Sequence, residues 1–129
     1  MRRSMILLSL FILFSLLLAA CSGTKSQPAA AVEAYLQALV NKQSEQLSNL
    51  SCADWESSAL TELDAFQNVE AQLVDLSCKE TGSDGSPRQF PWGGKITASY
   101  NGEMQDFPLG ERVYQLVEEG GEWRVCGYQ

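Results

Sequence analysis

The hydrophobic pattern of this chain changes period once, near Asn68, and that change restricts it to folds in which helices come first and strands follow. Ahead of Asn68, Val32, Tyr35, Leu36, Leu39 and Val40 recur at helical spacing behind Pro28, a residue suited to a first helical position. A short second helix is expected from Ser44 to Leu50, with Leu47 and Leu50 inward, before Ser51-Cys52-Ala53 breaks the pattern. Asp54 is the expected N-cap of a third, with Glu56 in the first turn where the helix dipole favours an acid. Trp55, Ala59, Leu63 and Phe66 trace its buried face.

Beyond Asn68 the apolar residues alternate. Val69, Ala71 and Leu73 give way to Val74, Leu76 and Cys78, a one-residue slip that signals a β-bulge. Turn chemistry fills Thr81 to Pro87. A strand is then expected from Arg88 to Tyr100, bent at Pro91 to Gly94, with Ile96, Ala98 and Tyr100 on one face. Asn101-Gly102 is the preferred pair for a tight hairpin. Glu103 to Phe107 returns, Pro108 to Gly110 bends the chain, and Glu111 to Val117 leads through Gly120-Gly121 into Glu122 to Tyr128. The expectation is an α+β fold, with N-terminal helices packed on one face of a curved antiparallel sheet built as a meander.

Residues 1–20 stand outside that fold. Arg2 and Arg3 precede a run from Met5 to Ala20 in which Ser9 and Ser15 are the only polar residues. A membrane-spanning helix needs about 20 apolar residues; this run has 16 and ends in Ala19-Ala20-Cys21, the make-up of an export signal removed by cleavage. Leu18-Ala19-Ala20-Cys21 resembles the lipobox of bacterial lipoproteins, in which the Cys after the cut receives a diacylglyceryl group. The resemblance implies a membrane anchor through the lipid on Cys21, since acyl chains together hold a protein stably at a bilayer. Ser22 is not the Asp that retains such proteins at the inner membrane, so the implied address is the outer membrane of a diderm host, or otherwise the outer face of the cell membrane. Residues 21–28 would be a short tether, reaching about 25 Å when extended, and residues 29–129 a single domain.

Loss of the signal leaves seven basic against sixteen acidic residues, a net charge of −9. Such a surface repels nucleic acid, so no nucleic-acid partner is expected. With Cys21 assigned to lipid, Cys52, Cys78 and Cys126 remain in a compartment that permits disulfides. Their spacings of 26 and 48 residues match no metal motif, and the chain has no His, so neither a metal site nor a cofactor is expected. The expected layout puts Cys52 between two helices, Cys78 near the end of the first strand and Cys126 on the last, which favours Cys52 with Cys126 as a staple between helix layer and sheet.

The pieces Ala31-Val32-Glu33-Ala34-Tyr35-Leu36-Gln37-Ala38-Leu39, Gly94-Lys95-Ile96 with Tyr100-Asn101-Gly102, and Gly121-Glu122-Trp123-Arg124-Val125-Cys126-Gly127-Tyr128 resemble small bacterial lipoproteins of the nuclear transport factor 2-like, or cystatin-like, superfamily. The resemblance implies a cone of curved sheet closed by helices. Related sequences carry a Cys near the position of Trp92 that would partner Cys78; its replacement by Trp92 implies a lone thiol at Cys78 and again favours Cys52 with Cys126.

Within that superfamily a cone hosts unrelated activities. The resemblance therefore leaves an enzyme pocket, a ligand cavity or a protein-binding face open, and the expectation is a non-catalytic binding or interaction module, for an envelope protein or a small apolar ligand, with no catalytic residue assigned. The alternative is an isomerase- or dehydratase-like enzyme using Asp64, Asp75 or Asp106 as base with Tyr35, Tyr100 or Tyr114. Trp55 and Trp123 read as core, and Trp92, between Pro91 and Gly93-Gly94, as the most exposed tryptophan. Glu118, Glu119 and Glu122 at a hairpin tip read as solvated acids rather than a cation site.

Overall fold

The computed structural model describes residues 27–78 and 88–129; the expected export signal, Cys21 and the expected turn at Thr81 to Pro87 lie outside the described residues. Three helices come first: α1 (Gln27–Val40), α2 (Ser44–Leu50) and α3 (Glu56–Phe66). Five strands follow: β1 (Glu70–Cys78), β2 (Arg88–Tyr100), β3 (Glu103–Pro108), β4 (Val113–Glu119) and β5 (Glu122–Tyr128). The fold is α+β, with every strand pair antiparallel.

Helix α1 forms because its apolar residues repeat on one side, and Val32, Tyr35, Leu36 and Leu39 are all fully buried. It packs across β5, β1 and β2. Helix α3 buries Ala59, Leu63 and Phe66. Asp54 does not cap it: the N-cap is Trp55, without a side-chain hydrogen bond, and Asp54 is exposed. The start is fixed instead by a backbone turn in which the Trp55 and Glu56 amides both donate to the Cys52 carbonyl at 3.0 Å, leaving the Asp54 side chain no helix end to serve.

The sheet departs from a meander. Strand order is β1-β2-β4-β5, and β3 pairs with β2 rather than β4. Two successive segments of β2 serve two partners: Arg88 to Pro91 pair with β4, and Lys95 to Tyr100 pair with β3. A strand of 13 residues exceeds the 6 of β3, so β3 and β4 share one edge of β2 in succession. The intervening bend is anchored by Leu109, fully buried, whose amide donates to the Gly94 carbonyl at 2.9 Å.

On the other edge of β2, the slip read at Val74 is a bulge: pairing moves from Val74↔Lys95 to Ser77↔Gly93. Asp75 takes φ 53°, and Gly94 opposite takes φ 94°. A Cβ on Gly94 would lie 2.6 Å from the carbonyl oxygens of both Val74 and Asp75, so only glycine lets the two backbones approach this closely. Alternation on β2 carries inward from Ala98 and Ile96 to Trp92, which is 3% exposed. The expectation that Trp92 is the most exposed tryptophan is thereby overturned; Trp55 and Trp123 are the half-buried ones. Trp92 stands opposite Cys78 in the register.

Among the described residues, one covalent link ties the helix layer to the sheet. Cys52 is joined to Cys126 across 74 residues, with Cα atoms 5.2 Å apart. Beside it, Ser51 bridges to Val125, and the Cys52 amide donates to the Val125 carbonyl at 2.8 Å. In the chain-entropy model, closing a loop of this length stabilises the fold by about 4 kcal/mol. Urea unfolding with and without reductant tests this: the reduced protein, or Cys52→Ala with Cys126→Ala, should lose about 2–4 kcal/mol.

Candidate functional site

The aspartates expected from sequence are not assembled into a site. Asp64 and Asp75 are exposed, Asp75 at the β1 bulge. Asp106 is paired on the surface with Lys95 at 2.6 Å and accepts a hydrogen bond from Thr97 at 3.0 Å. These two donors, Lys95 first, hold its carboxyl below the usual aspartate value, so it is a weak base. Of the tyrosines, Tyr35 and Tyr114 are fully buried, while Tyr100 is 54% exposed.

The structure gathers a different carboxylate. Glu62 lies on α3 between Ala59 and Phe66, at helical spacing within the apolar stripe, and that position is the sequence signal that marks it. Its Oε2 accepts from the Tyr35 hydroxyl at 3.3 Å. Oε1 accepts from the Tyr128 hydroxyl at 3.2 Å and from Arg112 Nη1 at 3.1 Å. Trp55 Nε1 donates in turn to the Tyr35 hydroxyl at 3.1 Å. The Arg112 guanidinium also lies over the Tyr128 ring, 4.4 Å from its centroid, in a cation–π contact.

Each part is placed by the fold just described. Arg112 follows the bend anchored by Leu109, and its amide donates to the Leu109 carbonyl at 3.0 Å. Tyr128 and Tyr114 are register partners at the open end of the β4–β5 hairpin, their rings 5.4 Å apart. A bulge follows on β5, where Gly127, at φ 121°, leaves room for the Trp55 ring at 3.4 Å from where a Cβ would stand. The Tyr114 hydroxyl is buried beside Arg112 yet makes no hydrogen bond of good geometry.

Burial pushes the Tyr35, Tyr114 and Tyr128 hydroxyls above the ordinary phenol value, and the neighbouring Glu62 charge adds to this at all three. For Tyr114 the Arg112 charge works in the opposite direction without reversing the shift.

Beside the cluster, an open cleft of about 440 Å³ runs between the end of α3 and the β2–β3 hairpin. Phe66 and Val69 face Ala98 and Phe107 across it, the two phenylalanine rings meeting edge-on at 6.0 Å. Ala65, Asn68, Tyr100 and Gln105 are exposed at its rim. Glu62 and Arg112 enter from the buried side, their side chains 15% and 21% exposed. At the opposite hairpin, Arg124 pairs with Glu122 at 3.5 Å and approaches Glu119 at 4.0 Å. Among the described residues no group of three or more acidic or Cys side chains is placed to hold a metal ion.

Comparison with protein-family models, curated proteins and solved structures returns no match for this chain.

Two measurements check the cluster. Arg112→Met should cost about 3 kcal/mol in urea unfolding, because it strands the Glu62 carboxylate, and Glu62→Leu added to it should recover much of that loss. The raised phenols set a second expectation. A group with a raised folded pKa contributes its full stability below the unfolded value and loses it above. The urea midpoint should therefore hold steady to about pH 9 and fall beyond about pH 10, less steeply in Tyr35→Phe.

Proposed function

We propose that this protein is an extracytoplasmic lipoprotein, anchored through a diacylglyceryl group on Cys21, whose cystatin-like cone acts as a non-catalytic binding module for a small apolar ligand. The address that accompanies this reading is the outer membrane of a diderm host, or else the outer face of the cell membrane. Support for the cone comes from the shared edge of β2 and the bulge facing Gly94, which together turn a long strand so that its sheet can wrap the helices. Support for the anchor comes from the residues ahead of Cys21.

The observation that carries the binding reading is the cleft at Phe66, Val69 and Phe107. It has the size of a ligand pocket, with an apolar face of Phe66, Val69, Ala98 and Phe107 and polar groups at its rim and buried end. The enzyme alternative needs one of the three expected aspartates inside the cone beside a tyrosine, and Asp64, Asp75 and Asp106 all lie at the surface.

The test is saturable binding of the uncharged dye Nile red to the mature chain carrying Cys21→Ser, which removes the lipid. One site is expected, weakened at least about tenfold by Ala65→Trp, a change on an exposed rim residue that fills the cleft without entering the core. Dye binding indifferent to that substitution would remove the cleft from the proposal. Intact mass of protein from the native membrane should carry the diacylglyceryl addition on Cys21.

A further inference from the structure

We infer that the cleft selects an uncharged amphipathic molecule, its apolar body lying along Phe66, Val69 and Phe107 and a neutral donor-and-acceptor group, such as a hydroxyl or primary amide, meeting the Arg112–Glu62 pair. This rests on reading the cleft as a binding site.

The argument is one of matching polar capacity. Arg112 carries five N–H donors and directs Nη1 to Glu62. The Glu62 carboxylate has about four acceptor positions, of which the Tyr35, Tyr128 and Arg112 bonds occupy three. Each partner thus retains capacity for a ligand, Arg112 as donor and Glu62 as acceptor, and both line the same cleft. A group that both accepts and donates can meet the two together. A carboxylate would gain Arg112 but be brought against Glu62, in a chain whose mature charge is already strongly negative. An ammonium would meet the reverse conflict with Arg112. Either ion would give up its hydration for one favourable and one unfavourable neighbour, 3.1 Å apart. The rim agrees, since Asn68, Gln105 and Tyr100 offer hydrogen bonds without charge.

The experiment displaces Nile red from the mature Cys21→Ser chain with decanol, decanamide, decanoate and decylammonium at neutral pH. These compounds share a chain length and differ in the head group. The expected result is displacement by decanol and decanamide at concentrations at least about tenfold below those needed for either ion, a difference of about 1.4 kcal/mol. Glu62→Gln, which removes the opposing charge and keeps the shape of the side chain, should lower the decanoate concentration needed relative to decanol, and an unchanged order in that variant would leave only the general cost of desolvating an ion and overturn the head-group inference. Decanoate or decylammonium displacing as well as decanol would overturn the head-group inference and leave the binding reading standing. Absence of saturable dye binding would overturn the binding reading itself, and the inference with it.

Discussion

A strand of 13 residues cannot be matched along its length by a partner of 6, and the arrangement of the sheet follows from that inequality. The unpaired remainder of β2 exposes backbone donors and acceptors that need another strand. The chain supplies it by bending after Pro108, burying Leu109 against Gly94, and returning as β4 on the same edge. The other edge of β2 is held by β1, whose extra residue is absorbed where Asp75 faces Gly94. Bulge and bend therefore meet at one glycine, its carbonyl bound by Leu109 and its missing side chain vacated for the backbone of β1.

That bend also delivers Arg112, and so explains why a charged group reaches the interior of the helix–sheet contact. Glu62 stands in the buried stripe of α3, where an unpaired carboxylate would be costly. The return of the chain after β3 brings a guanidinium to it, and the end of β5 brings Tyr128. Removing either charge alone leaves the other stranded, which makes the pair a coupled feature rather than two separate contacts. A larger closure lies at the other end of β5's buried segment, where the Cys52–Cys126 bond and the Val125 carbonyl fix the loop after α2. The helix layer is thus held to β5 by covalent and polar links, in addition to the apolar burial of Val32, Leu36 and Leu39.

What was legible in the sequence was local. Helical spacing in Val32 to Val40, the slip after Leu73 and the Asn101-Gly102 turn each write their structure into neighbouring residues, and the elements stand where those signals are. The partner of β3 was not legible, because two hairpins joined by a bend and a meander have the same alternation; only the relative lengths of β2 and β3 separate them. Trp92 was misread because Pro91 and Gly93-Gly94 suggested a bend that would expose it, whereas the two-residue period from Ala98 through Ile96 continues inward to it. Asp54 has the chemistry of an N-cap, but the Cys52 carbonyl had already fixed the turn. Glu62 interrupts the apolar stripe of α3 with an acid, yet it was not among the site residues expected from sequence. Its partner, 50 residues away, follows the bend expected at Pro108 to Gly110, but the strand pairing around that bend was not legible.

The position of the cleft relative to α1 gives the proposed anchor a geometric meaning. Ala31, in the second turn of α1, lies beside Gly121, Glu122 and Trp123 at the tip of the β4–β5 hairpin. That hairpin pairs with β2 at its Arg88 end, whereas the cleft lies by Ala98 and Tyr100 at the other end of the same strand. The two features therefore lie at opposite ends of the long strand, with the bend at Gly94 between them. On the proposed anchor at Cys21, the tether would join the fold at the hairpin end of β2, with the cleft at the other end. Such a placement would leave the cleft open to ligands arriving from the aqueous side.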